Sequence, residues 1–129
     1  MNQKNLDISK IRLYITNMTD YKRNLETKIN NLMAYFPVVI ILGVRQCGKT
    51  TLAKMLRPDW QYFDLERNRD FDFVTRDFEF FIKEHPYSVI IDEAQRHPPL
   101  FQELRGVVDR DRKFKNRFLL TGSSSLDLI

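Results

Sequence analysis

Apolar and polar positions change period several times along the 129-residue chain, and each change marks an expected element. From about Tyr21 to Tyr35, Leu25, Ile29, Leu32 and Met33 fall on one face of a helix. At Pro37 that spacing gives way to Val38, Val39, Ile40, Ile41 and Leu42, a β-branched run suited to a strand covered on both faces. Thr50 to Arg57 returns to helical spacing through Leu52, Met55 and Leu56 and is stopped by Pro58. Gln61 to Leu65 reads as a second strand. Phe71 to Glu84 reads as one helix, with Val74, Phe78, Phe81 and Ile82 on a shared face and Pro86 closing it. Ser88 to Ile91 is a third buried strand. Pro98 and Pro99 suit the first turn of a helix carrying Leu100, Phe101, Leu104, Val107 and Val108 inward, and Arg117 to Thr121 is a fourth strand.

Strands alternating with helices of this length predict an α/β fold, a parallel sheet with helices on both faces. Residues 1–19 are expected to be an N-terminal extension, unstructured, although Ile11, Leu13 and Ile15 alternate as in a strand; residues 20–129 form the domain. A start at Met18, with Thr19 or Asp20 capping the first helix, is an alternative.

Composition narrows the class. With 43% hydrophobic and 29% charged residues the chain suits one globular domain, and its longest apolar run, Phe36 to Gly43, is far too short for a membrane span. A single cysteine makes no internal disulfide, and the first residues lack the basic start and apolar stretch of a secretion signal, so a cytoplasmic location is expected. A net charge of +4 suits phosphate-bearing partners without demonstrating nucleic-acid binding.

The chemistry concentrates in three places. Gly43-Val44-Arg45-Gln46-Cys47-Gly48-Lys49-Thr50 fits the Gly-x-x-x-x-Gly-Lys-Ser/Thr phosphate loop, and it lies between an expected strand and an expected helix. Glycines let successive N–H groups converge on anionic oxygens while the following helix points its positive end inward. Lys49 is expected on the β and γ phosphates and the Thr50 hydroxyl on Mg²⁺; with Thr51, these loop residues form the nucleotide-binding set. Downstream, the strand Ser88-Val89-Ile90-Ile91 ends in Asp92 and Glu93. Strand alternation would send the two carboxylates in different directions, Asp92 toward Mg²⁺ and Glu93 toward the water that attacks the γ phosphorus. A solvated acidic strand end is the plainer alternative. The fourth strand leads into Thr121, Gly122, Ser123 and Ser124 at the end where a parallel sheet faces its ligand, which makes Thr121 the candidate γ-phosphate sensor; a strand-to-helix cap explains the serines as well.

The acidic pair, with an extra strand near Tyr62 to Asp64 between the two motifs, resembles the additional-strand class of P-loop ATPases. Gly43 to Leu52, Ile90 to Gln95 and Phe118 to Ser123 together resemble the prokaryotic family of predicted AAA+ superfamily ATPases, whose members usually carry a further C-terminal domain. The resemblance runs from about Tyr21 onward and includes Arg45-Gln46 in the loop and Ala94-Gln95-Arg96-His97-Pro98 after the acidic pair. Val44 stands where the family commonly has proline, and Cys47 where it has an aliphatic residue. What the resemblance implies is a P-loop three-layer sandwich that binds ATP and Mg²⁺, with Lys49, Glu93 and Thr121 catalytic, Thr50 and Asp92 on the metal, and homo-oligomers through AAA-type contacts.

Such modules continue past the sensor strand into a helix with an arginine finger, a fifth strand and a helical lid, and this chain stops at Ile129. A sheet truncated after its fourth core strand is therefore expected, with weak or absent turnover. The first core strand, Phe36 to Leu42, would lie on an uncovered edge unless the arm around Ile11 to Ile15 covers it. Two other classes stay open: a nucleotide-gated binding module, and a nucleic-acid-binding protein using the 105–117 basic segment. Interleaved Asp109 and Asp111 make that segment a solvated loop in the simpler reading. Cys47 reads as a small loop filler, and His85 and His97 lack partners at zinc-ligand spacing.

Overall fold

The computed structural model describes residues 4–8, 11–17, 22–43 and 48–123. Its elements in chain order are β1 (Lys4–Ile8), β2 (Ile11–Asn17), α1 (Lys22–Met33), β3 (Val38–Gly43), α2 (Lys49–Leu56), β4 (Gln61–Asp64), α3 (Asn68–Thr75), α4 (Phe78–Glu84), β5 (Val89–Asp92), a 3-10 turn at Ala94–Arg96, α5 (Pro99–Arg110) and β6 (Phe118–Ser123).

All twelve residues of the runs Val38 to Leu42, Val89 to Ile91, and Phe118 to Thr121 are buried. Their alternation divides the core in two. Val38, Ile40, Leu42, Val89, Ile91, Phe118 and Leu120 face α3, α4 and α5, while Val39, Ile41, Ile90 and Leu119 face α1 and α2. The result is the expected three-layer α/β sandwich, consistent with a P-loop NTPase-like fold, and its strand order is β1-β2-β3-β6-β5-β4. The four strands β3, β6, β5 and β4 run parallel, as crossover connections through helices require.

The N-terminal stretch departs from expectation. Instead of an unstructured leader, β2 pairs parallel to β3 from Leu13↔Val38 to Asn17↔Leu42, and β1 folds back antiparallel on β2. The strand from Val38 is thus interior to the sheet, with both hydrogen-bonding edges occupied; of the two alternatives, an uncovered edge or one covered by the arm around Ile11 to Ile15, the structure has the second. Backbone pairing favours this arrangement, because a buried strand with unpaired N–H and C=O groups is costly.

A second departure lies between Phe71 and Glu84, where one expected helix is two. At Asp77 the backbone leaves the helical region (φ −140°, ψ 88°), and the Asp77 carboxylate accepts the Phe80 N–H at 3.1 Å, capping a new helix. Re-aiming the chain lets Phe78, Phe81 and Ile82 reach the same core as Val74.

Candidate functional site

The apolar run of β3 ends at Gly43, and α2 begins at Lys49 immediately after Gly48. Gly48 has φ 98° and ψ 13°, a left-handed conformation that glycine adopts without steric cost. Val44, Arg45, Gln46 and Cys47, the middle of the expected phosphate loop, lie outside the described residues, as do Tyr21 and Ser124. Lys49 is only 4% exposed, and its ammonium donates to the Gly43 carbonyl at 3.0 Å, bent back toward the end of β3. Thr51 is exposed on α2.

Sheet register assembles the rest. In β5, Asp92 follows Ile90 on the α1/α2 face; in β6, Thr121 follows Leu119 on the same face. Tyr62 of β4 lies beside Ile90 and packs against that core. Three strand ends therefore deliver a carboxylate and two hydroxyls to the side of the sheet on which α2 starts, and Thr50 from α2 adds a third hydroxyl. The Thr50 Oγ1 donates to Asp92 Oδ2 at 2.7 Å, and Tyr62 Oη donates to the same oxygen. Thr121 Oγ1 donates to Asp92 Oδ1. Asp92 is 3% exposed, so these donors stand where water would otherwise solvate the anion. Burial and the adjoining Asp92 and Asp64 carboxylates hold the Tyr62 hydroxyl well above the usual tyrosine range, against a smaller opposing effect of Thr50; Tyr62 stays a proton donor at neutral pH.

Glu93 leaves the strand differently from the expected alternation. It takes the left-handed conformation at φ 58° and ψ 48°, uncommon for a residue with a Cβ, and so turns the chain into the 3-10 segment. Its N–H donates to Thr121 Oγ1 at 3.1 Å, and its carboxylate Oε1 accepts from Gln95 Nε2 at 2.7 Å. Gln95 is tied in turn to β6, because its Oε1 accepts the Ser123 N–H at 3.2 Å. Thr121, fully buried, links both acidic residues.

Of the residues expected from sequence, the structure brings Thr50, Asp92, Glu93 and Thr121 into one hydrogen-bonded cluster, with Lys49, Gly43 and Gly48 at the junction of β3 and α2. Sequence reasoning gave Tyr62 and Gln95 no role in the site. The signal for Tyr62 was available in the alternation of β4: Phe63 is buried toward one core, which turns Tyr62 to the other, where Asp92 emerges. Gln95 carries a signal only once Glu93 is seen to break the strand.

The basic segment resolves into individual roles. Arg117 is 5% exposed, donates to the Pro86 carbonyl through Nε (3.2 Å) and Nη2 (2.8 Å), and lies over the Phe114 ring. Burial lowers its pKa. Arg110 pairs with Glu79 at 2.9 Å. Arg112, Lys113 and Lys115 are exposed. His85 packs against Phe63, Phe73 and Phe81, and His97 lies 3.6 Å from Glu103. Among the described residues, no group of three or more His, Cys, Asp or Glu side chains is placed to hold a metal by itself, and no helix is long and apolar enough to cross a membrane.

A family model described as an AAA domain matches residues 35–129. The chain is also 36% identical over 130 residues to an uncharacterized protein of Mycobacterium bovis and, to the same extent, to an uncharacterized protein of Mycobacterium tuberculosis. Each alignment covers 97% of this chain but 28% of the relative, so the chain spans little more than a quarter of the length of these relatives. No solved structure matches the sequence significantly.

Proposed function

The chain belongs to the AAA domain family, a nucleotide-binding, ATPase-type module, and from that premise we propose that it binds ATP with Mg²⁺ and hydrolyses the bond between the β and γ phosphates. The 2.7 Å bond from Thr50 to Asp92 carries this reading, since it joins the helix that follows the phosphate loop to the acidic end of β5.

In the nucleotide complex, N–H groups at the start of α2 face the phosphate oxygens, and Lys49 swings its ammonium from the Gly43 carbonyl to the β and γ phosphates. The donor set fits a hard cation. Thr50 spends its hydrogen on Asp92, which leaves its oxygen lone pairs for a metal, and Asp92 supplies a carboxylate close by; Mg²⁺ commonly takes few protein oxygens and completes its shell with water and phosphate. When bound, Mg²⁺ supplies positive charge that neutralises the phosphate oxygens.

Glu93 has one carboxylate oxygen on Gln95 and uses the other to accept a proton from water as that water attacks the γ phosphorus; ADP leaves with the β-phosphate oxygen. Thr121 reaches a γ phosphate only by giving up its bond to Asp92, so phosphate sensing by Thr121 is coupled to the metal-holding carboxylate. A Glu93→Gln variant is expected to bind ATP like the parent and to lose turnover by about 100-fold or more. Equal turnover in the two proteins removes Glu93 from the reaction.

A nucleotide-gated binding module is the second reading, favoured by one observation: Glu93 Oε1 and the Thr121 hydroxyl are both engaged within the protein. Turnover above a Lys49→Ala background excludes it. Binding to nucleic acid through residues 105–117 has less support, because Arg117 is buried and Arg110 is ion-paired. AAA domains often oligomerise, and we expect nucleotide-dependent self-association, measurable by sedimentation. The reading places the protein in the cytoplasm, where ATP and Mg²⁺ are abundant; cell fractionation tests that placement.

A further inference from the structure

We propose that Tyr62 is a positioning residue of the metal–nucleotide site, holding the Asp92 carboxylate in the orientation from which Asp92 and Thr50 together receive Mg²⁺. The inference deepens the proposed function and rests on it.

Three elements grip this carboxylate. Thr50 from α2 and Tyr62 from β4 donate to Oδ2, and Thr121 from β6 donates to Oδ1, while Asp92 itself sits on β5 between the two strands. A carboxylate offers about four acceptor positions, so these donors fix its plane and leave little freedom for rotation. At 3% exposure, solvent does not readily replace a donor that is removed. Thr50 is expected to contact the metal directly, and Thr121 is shared with the Glu93 N–H; the Tyr62 hydroxyl donates to Asp92 and has Thr50, the other expected metal ligand, as its second hydrogen-bonding neighbour.

The tyrosine is itself held from both sides. Its backbone pairs with β5 at Ile90, its ring packs into the α1/α2 core, and Lys54 Nζ lies 4.0 Å from the ring centroid. Lys54 belongs to α2, the helix that starts with Lys49 and Thr50, so Tyr62 is braced by the same helix that is expected to hold phosphate and metal.

The test is calorimetric binding of a non-hydrolysable ATP analogue to the 129-residue chain and to Tyr62→Phe, each in excess MgCl₂ and in EDTA. The parent is expected to bind more tightly with Mg²⁺. Tyr62→Phe keeps the ring and is expected to match the parent in EDTA while losing roughly 10- to 100-fold of affinity in Mg²⁺, the usual cost of removing a group that orients a metal ligand. An undiminished Mg²⁺-dependent gain overturns the proposal and leaves Tyr62 a packing residue. An equal loss in EDTA and in Mg²⁺ overturns it as well, by assigning the effect to the fold. If Tyr62→Phe does not fold, Lys54→Met leaves the hydroxyl and loosens the ring, with an expected Mg²⁺-specific loss of about two- to fivefold; no loss there overturns the proposal. A parent without any Mg²⁺-dependent gain overturns the ATP and Mg²⁺ reading first, and the role of Tyr62 with it.

Discussion

Replacing Thr121 with valine changes the chemistry of the buried cluster while nearly preserving its shape. The residue is fully buried, its hydroxyl donates to Asp92 Oδ1, and it accepts the Glu93 N–H at 3.1 Å. Valine fills the same space, so the cavity cost is small, but both bonds vanish. The carboxylate loses one of its donors at a site that water hardly reaches, and the amide of a residue in the left-handed conformation loses its acceptor. Taking about 2 kcal/mol for a bond to a charged acceptor and about 1 kcal/mol for the amide gives a loss near 3 kcal/mol. With a urea m-value of about 2 kcal/mol/M, the unfolding midpoint moves down by about 1.5 M at constant m. Thr121→Ser keeps the hydroxyl and gives up a methyl group, a loss of about 1 kcal/mol. Urea titration of the three proteins reads the difference directly. Equal stability of Thr121→Val and Thr121→Ser would show that the hydroxyl does not support the acidic pair.

Other consequences follow from single residues. Gly48→Ala forces a Cβ into the left-handed region and is expected to cost about 1–2 kcal/mol in thermal unfolding, with weaker nucleotide binding; Gly48→Asn, better tolerated there, should lose less. Asp77→Ala removes the cap of α4 and is expected to cost about 1 kcal/mol, with faster amide exchange at Phe80 than at Phe71. Arg117→Met leaves the Pro86 carbonyl without its donors and is expected to destabilise by about 2 kcal/mol, while any DNA affinity, measured against salt, stays as in the parent.

The central sheet was legible because β3, β5 and β6 are short unbroken apolar runs, covered on both faces, and because the helices between them carry clear 3.6-residue spacing. The break at Asp77 was hidden, since Val74 and Phe78 continue a single helical face and only the backbone turn at Asp77 separates them. Residues 11–17 form a strand by pairing with β3, and residues 4–8 by pairing with β2; the contact with β3 is distant in sequence, and local alternation in a polar stretch does not fix its register. At the site, residue types and spacing pointed to Lys49, Thr50, Asp92, Glu93 and Thr121. They did not reveal how the acidic pair is held. The left-handed turn at Glu93, the Gln95 bridge to Ser123 and the Tyr62 hydroxyl on Asp92 depend on strand register and on the direction in which the chain leaves β5.

The most direct test of the account is calorimetric titration of a non-hydrolysable ATP analogue with Mg²⁺ into this chain and into Lys49→Ala, both verified as folded and monodisperse. Saturable binding by the parent and a loss of roughly 10- to 100-fold in the variant, as expected when a charged contact to phosphate is removed, is the predicted result. Equal binding by the two proteins, or no binding by the folded parent, contradicts it.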